Sequence, residues 1–134
     1  MRPRITERDN EMIGYVTVGT NDMDAAVKFY DALLGDLGAG RIMEGDNFVA
    51  WGTGMKSPSV AVMKPHDGNP ATVGNGIMIA LAVDSTDKVD AIYKKALDLG
   101  GTCEGPSGPR GDNFYAGYFR DLDGNKLNVF CMKQ

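Results

Sequence analysis

The sequence predicts an α+β fold built from two tandem copies of one unit, in which a strand is followed by a helix and then by three strands. Two observations lead to this prediction. Apolar strand segments at residues 13–18 and 77–83 are each followed by an acidic turn and then by an amphipathic helix. Displacing the sequence by 63 positions aligns the two helices without a gap, so that Tyr30 falls on Tyr93. This pattern indicates an internal duplication.

Both helices carry signals for their beginning and their end. Apolar residues recur at spacings of three and four, which is typical of a helix with one buried face. They are Ala26, Phe29, Tyr30, Leu33, Leu34 and Leu37 in the first helix, and Val89, Ile92, Tyr93, Ala96 and Leu97 in the second. The pairs Asn21-Asp22 and Asp84-Ser85 supply the turn and capping residues. Gly38 and Gly101 mark the expected ends.

Three short strands separated by glycine-rich turns are predicted after each helix. Their ranges are 40–43, 47–51 and 59–64 in the first half, and 102–104, 114–120 and 126–132 in the second. The last two strands are joined by Asp121-Leu122-Asp123-Gly124-Asn125, and Asp-Gly is a strong hairpin signal because glycine tolerates positive φ.

We expect a single domain over residues 1–134. Module one spans about residues 12–66, a linker without periodicity spans 66–75, and module two spans about 76–132. Residues 1–11 belong to neither module, and we expect them to form a frayed or partner-contacting arm.

Composition excludes several classes of function. The formal net charge is −4, whereas a nucleic-acid-binding protein needs a basic surface, so no nucleic-acid partner is expected. If the ligand is charged, the negative net charge of the protein favours a cationic one. Two cysteines are too few for a disulfide framework, and no apolar run approaches the roughly 20 residues of a membrane span. The charged start of the chain does not resemble a signal peptide, so a cytoplasmic protein without a membrane partner is expected.

Four motifs together resemble the vicinal oxygen chelate superfamily, which includes glyoxalase I, bleomycin-resistance proteins and extradiol dioxygenases. They are IGYVTV at 13–18, VKFY and LLG at 27–35, GIMIAL at 76–81 and DLDGNKLN at 121–128. The resemblance covers about residues 12–132. It implies that the two modules form a curved sheet around a cup, that members often dimerise, and that metal-dependent members hold a divalent ion with four side chains inside the cup.

The metal-ligand positions implied by this resemblance carry unsuitable residues. They fall on Tyr15, on Val62 or Ala61, on Met78 and on Asn128. None of these is a usual ligand of a hard divalent ion, which needs carboxylate or imidazole groups. The only histidine, His66, lies in the predicted linker. We therefore expect no metal and no other cofactor.

Alternation along the strands predicts what would line a cup without metal. Tyr15, Met78 and Asn128 define its inner face, and the residues that alternate with them are large and aliphatic. Trp51 and Tyr118 are expected to occupy related positions of the two halves, about 67 residues apart. The predicted ligand-binding residues are Tyr15, Trp51, Met78, Tyr118, Arg120 and Asn128. A partly solvated sheet face, core packing or a dimer seam stays open as another interpretation of the same residues.

Three functions fit this sequence. The first is a metal-independent small-molecule-binding protein whose cup is completed in a homodimer. The second is an enzyme, either a lyase or isomerase resembling lactoylglutathione lyase, with or without a divalent metal, or a dioxygenase-like enzyme. A metal-free version would use Tyr15 as a general acid and Asn128 as an oxyanion donor, although no catalytic residue is identified. The third is a partner-binding module without a ligand. Whether the protein is an enzyme stays open at this point.

Overall fold

The computed structural model describes residues 12–132, which form two four-stranded sheets with one helix each. The elements of module one are β1 (Tyr15–Gly19), α1 (Met23–Gly35), β2 (Gly40–Glu44), β3 (Phe48–Gly52) and β4 (Ser59–Met63). Those of module two are β5 (Ile79–Ala82), α2 (Thr86–Asp98), β6 (Thr102–Pro109), β7 (Phe114–Arg120) and β8 (Lys126–Met132). The predicted arm at 1–11 lies outside the described residues.

Both sheets have the same strand order. The first sheet is β1-β4-β3-β2 and the second is β5-β8-β7-β6, with β1 parallel to β4, β5 parallel to β8 and the other pairs antiparallel. The two helices have 13 residues each and begin 63 positions apart, at Met23 and Thr86. The prediction of an α+β fold made of two tandem βαβββ modules is therefore confirmed. Within residues 12–132, no helix is long and apolar enough to cross a bilayer.

The helix caps follow the sequence signals. The side chain of Asp22 accepts a hydrogen bond from the backbone of Ala25 at 3.1 Å, and Ser85 accepts one from Lys88 at 3.2 Å. At the end of α2 the left-handed residue is Gly100, with φ +103°, one position before the glycine predicted from sequence.

Strand β6 is longer than predicted. It runs to Pro109, whereas the sequence pattern favoured an end at residue 104. The segment Glu-Gly-Pro-Ser-Gly-Pro lacks β-branched and aromatic residues, and its pairing with β7 shifts register twice. Proline is tolerated there because β6 is the edge strand of its sheet.

One hydrophobic core lies between the helices and the inner faces of both sheets. Its largest fully buried side chains include Phe29, Tyr30, Leu33, Trp51, Phe119 and Leu127. Residues of both modules belong to this one cluster. The face of each sheet that turns away from the helices is called the open face below.

The β7–β8 turn joins the two modules through polar contacts. The buried carboxylate of Asp121 accepts a 2.6 Å hydrogen bond from the Tyr30 hydroxyl of α1. Asn125 donates from its side-chain amide to Asp121 Oδ2 at 3.0 Å and to the Gly19 carbonyl of β1 at 2.9 Å. Gly124, at φ +93°, gives the turn its left-handed residue. Module two is therefore held against α1 and the end of β1.

Replacing Tyr30 with Phe tests this junction. We expect the free energy of unfolding to fall by about 1–3 kcal/mol, because the buried Asp121 carboxylate loses a donor. Urea titration followed by the fluorescence of the single, buried Trp51 measures the change. The matched control is Tyr15→Phe, since Tyr15 is 68% exposed and a change within about 0.5 kcal/mol is expected. Equal loss in both variants would contradict a special role for Tyr30.

Burial of the Tyr30 hydroxyl predicts a loss of stability at alkaline pH. Burial, reinforced by the Asp121 carboxylate, raises the pKa of Tyr30 well above its usual 10.0. Because the pKa is higher in the folded state, the associated stability is complete below pH 10.0 and is lost as the pH rises above it. We expect the unfolding free energy to decline above that pH, and to decline less steeply in Tyr30→Phe. Urea titrations at about pH 8 and about pH 11 measure both slopes.

Candidate functional site

The open face of the first sheet contains an apolar cavity of about 310 Å³. Its walls come from all four strands, because side chains two residues apart along a strand share a face. Six of the lining residues are Tyr15, Thr17, Ile42, Phe48, Ala50 and Ala61. Small side chains from β3 and β4 form the floor, and larger ones form the rim. This volume is at the lower end of the range for small-molecule sites.

The open face of the second sheet is aromatic and cationic. Phe114 and Phe130 stack with ring centroids 5.4 Å apart. The Arg110 guanidinium lies 5.4 Å from the centre of the Tyr118 ring, and the Lys126 ammonium lies 5.6 Å from it. These distances are within the range of cation–π attraction.

Asn128 lies on this open face, and its side-chain oxygen has no hydrogen-bond partner there. It is directly opposite Tyr118 in the β7–β8 ladder, and only 2% of its surface is exposed. Its Oδ1 atom accepts no hydrogen bond from the described part of the chain. An orphaned buried acceptor costs about 1–3 kcal/mol, so its presence calls for an explanation beyond folding.

A second cavity, of about 530 Å³, lies between the modules at the free edge of β5. Val16 and Leu37 line its first-module wall, and Met78 and Leu81 line its second-module wall. The cavity is therefore on the seam of the two modules, apart from the cavity of the first open face.

The six predicted site residues are divided among these places. Tyr118 and Asn128 are neighbours on the second open face. Tyr15 lines the cavity of the first open face, 68% exposed. Met78 lines the seam cavity and is 40% exposed.

The other two of the six have structural contacts. Trp51 is 1% exposed, touches the seam cavity from the core and donates a 2.8 Å hydrogen bond to Asp31. Arg120 donates to the Gly124 carbonyl at 2.9 Å and pairs with Glu104 at 3.3 Å. Within one chain the six residues therefore do not line a single cup.

Trp51 lies on the helix side because of strand register. In the first sheet, Trp51 of β3 is opposite Val60 of β4. The corresponding pair in the second sheet is Phe119 of β7 opposite Leu127 of β8. The equivalent of Trp51 is therefore Phe119, 68 positions later, and not Tyr118. A shift of one residue moves a strand side chain to the other face of its sheet, which explains the difference.

Several residues of the open faces were outside the predicted set. Phe48 and Ala61 follow from alternation once β3 and β4 are known. Arg110 had no sequence signal, because it lies in a hairpin turn and reaches Tyr118 only by folding back over β6. Its guanidinium donates to the Pro106 carbonyl at 2.6 Å and to that of Gly108 at 3.1 Å.

The positions that correspond to metal ligands do not fit a divalent ion. Between the two alternatives for the second position, Ala61 lines the open-face cavity and Val62 belongs to the core. The set is then a phenol, a methyl group, a thioether and an amide, none of them a carboxylate or an imidazole. Across residues 12–132, no group of three His, Cys, Asp or Glu side chains is positioned to hold a metal.

Comparisons with known proteins agree with this architecture. The family model described as Glyoxalase/Bleomycin resistance protein/Dioxygenase superfamily matches residues 12–129. The crystal structure of a glyoxalase/bleomycin resistance protein from Albidiferax ferrireducens T118 is 37% identical, with a TM-score of 0.83. That alignment covers 90% of this chain and 98% of the other. No curated protein matches the chain.

Two more distant solved structures share the fold. The fosfomycin resistance protein FosX from Mesorhizobium loti is 19% identical, with a TM-score of 0.65. Lactoylglutathione lyase from Agrobacterium tumefaciens is 20% identical, with a TM-score of 0.66. Each alignment covers 90% of this chain and 92% of the other chain. At these identities the likeness extends to the fold alone.

Substitution of two asparagines in the β7–β8 hairpin distinguishes a residue kept for a ligand from one kept for stability. We expect Asn128→Leu to keep or raise the free energy of unfolding, by up to about 1 kcal/mol, because it removes a buried amide oxygen without a hydrogen-bond partner. Asn125→Leu is the matched control and should lose about 1–3 kcal/mol, since its amide donates to Gly19 and Asp121. Urea titration measures both. A large loss in Asn128→Leu would show that its amide has a structural partner.

Proposed function

The chain belongs to the glyoxalase/bleomycin resistance protein/dioxygenase superfamily, and on that premise we propose that it is a metal-independent small-molecule-binding protein. The observation that carries the proposal is the combination on its open faces. The first open face has an apolar cavity of about 310 Å³ that includes two of the four metal-ligand positions, Tyr15 and Ala61, and on the second open face a buried amide oxygen at Asn128 has no partner in residues 12–132. Apolar walls with a few oriented polar groups are the usual composition of a ligand site.

The chemistry of the first open face supports binding of an apolar group. Ala50 and Ala61 are small, so they leave room for a ligand between the larger side chains of Ile42 and Phe48. Tyr15 offers a hydroxyl at the rim of this cavity. Burial of a ring or an alkyl chain there contributes about 25 cal/mol for each Å² removed from water.

A second copy of the chain is part of the proposal. β1 and β5 each have one edge without a strand partner in the described chain. Large apolar side chains are exposed just before these strands, at Ile13, Ile77 and Met78. Free strand edges beside exposed apolar residues favour association. A homodimer would cover them and complete a cup from the open faces of two chains.

The alternative function is a lyase or isomerase of the same superfamily. Tyr15 would be its general acid and Asn128 its oxyanion donor. The two side chains share no cavity among residues 12–132, and Tyr15 is largely exposed. This geometry favours binding over proton transfer.

The cytoplasm is the proposed compartment. Cys103 is exposed and Cys131 is buried, and neither is in a disulfide. An exposed free thiol is compatible with a reducing compartment.

Native mass spectrometry of untagged protein, purified without chelator and combined with elemental analysis, tests binding. We expect a small organic mass on the chain and no stoichiometric divalent ion. Thr17→Trp should abolish the organic mass, because it fills the part of the two-chain cup that the first open face contributes. Thr72→Trp is the matched control, since Thr72 is exposed in the linker and should retain the mass. About one divalent ion per chain would contradict the proposal and direct the work to lyase assays.

The dimer has its own test. We expect Ile77→Glu to give a monomer, because it places a charge in the exposed apolar surface before β5. Leu122→Glu is the control, since Leu122 is also exposed but lies in the β7–β8 turn. Size-exclusion chromatography with light scattering measures both masses. A monomeric wild-type protein at micromolar concentration would overturn this part of the proposal.

A further inference from the structure

The second open face has a concentration of uncompensated positive charge. Arg110 and Lys126 both lie within 5.6 Å of the centre of the Tyr118 ring. Both side chains are half-buried, and among the described ion pairs neither has a carboxylate partner. The other half-buried cations of residues 12–132, Lys95 and Arg120, pair with Asp36 and Glu104.

The local charge at this face has the opposite sign to the net charge of the protein. The formal net charge is −4, which taken alone favours a cationic ligand. Each of these two cations is partly withdrawn from water without a carboxylate partner, which costs free energy because a charge there is less well solvated. Attraction to the ring offsets only part of this cost. A bound anion would compensate both charges, so the local charge favours an anionic ligand at this face.

The side chains around the two cations indicate which other chemical groups such a ligand would carry. Asn128 is directly opposite Tyr118 and two residues from Lys126 on β8. Its unpartnered Oδ1 needs a hydrogen-bond donor. The stacked rings of Phe114 and Phe130 continue the same face with an apolar surface.

We propose that the second open face recognises a small organic oxyanion that also carries a hydroxyl or amine donor and an apolar group. The oxyanion lies near Lys126 and Arg110 beside the Tyr118 ring, the donor reaches Asn128, and the apolar part lies toward Phe130. This inference rests on the proposed small-molecule function and names the class of its ligand. Arg110 is held in place by backbone carbonyls, so Lys126 is the more adjustable cation.

The test uses the full chain and compounds that differ by one group. Mandelate has a carboxylate, a hydroxyl and a phenyl ring; methyl mandelate lacks the charge, phenylacetate lacks the hydroxyl, and benzylphosphonate changes the oxyanion. Calorimetric titration at low salt measures each affinity. We expect mandelate to bind about tenfold more tightly than its ester, the ratio typical of one charge-assisted hydrogen bond. Comparison of phenylacetate with benzylphosphonate shows whether carboxylates or phosphonates are the preferred source of the anion.

Matched variants assign the effect to residues. Lys126→Gln should lower the ratio of acid to ester affinity, with Arg110 retaining part of the preference, and added salt should reduce the ratio in the wild type. Lys28→Gln is the control, because Lys28 is exposed on α1, and it should leave the ratio unchanged. Asn128→Leu should abolish the preference for mandelate over phenylacetate while leaving the preference for acid over ester.

The outcomes separate this inference from the function on which it rests. Equal affinity for acids and esters, or a ratio unaffected by Lys126→Gln, overturns the oxyanion site. If an organic mass is still found on the purified protein, the proposed binding function stands without it. If no compound binds and no organic mass is found, both proposals fail.

Discussion

The buried carboxylate of Asp121 is the contact on which the arrangement of the two modules depends. It accepts hydrogen bonds from the Tyr30 hydroxyl, from the backbone of Asp123 and Asn125, and from the Asn125 amide. A carboxylate that is 5% exposed is tolerated only when donors satisfy it in this way. Since Tyr30 belongs to α1 and Asn125 also donates to Gly19 of β1, the same turn orients module two against module one. The modules are thus joined on the helix side, and both open faces stay accessible.

The polar side chains on the two sides of the second sheet differ in whether they have hydrogen-bond or ion-pair partners within the chain. Toward the helices, the polar side chains of the β7–β8 turn are satisfied by partners within the chain, as Asn125 shows. On the open face, the Asn128 oxygen has no partner among residues 12–132, and the Lys126 ammonium has no carboxylate within ion-pair distance in the same residues. A fold does not need unsatisfied buried groups for its own stability, and such groups concentrate where a ligand binds. This contrast within one hairpin is the physical basis for proposing a ligand site there.

The fold was largely predictable because local signals agreed with one another. The displacement of 63 positions aligned two helices that the structure shows with equal length, and the Asp-Gly turn placed β7 and β8 with their observed bounds. Strand β6 was underestimated because glycine and proline, which normally interrupt a strand, are tolerated at a sheet edge. The candidate site was less predictable. Trp51 was matched to Tyr118 with an offset one residue too short, and one residue reverses the face of a strand.

The sequence by itself determined the two-module α+β plan, the helix caps, the hairpin turn and the unsuitability of the metal-ligand positions, because these depend on local conformational preference and on residue chemistry. Only the tertiary structure decided that Trp51 is core, that Arg110 folds over Tyr118, and that Asp121 is bonded to Tyr30, 91 residues away. These contacts depend on the relative position of elements far apart in the chain, and periodicity along one element carries no information about them. The local charge at the second open face is of the same kind, since it arises from two cations that meet on one ring only after folding.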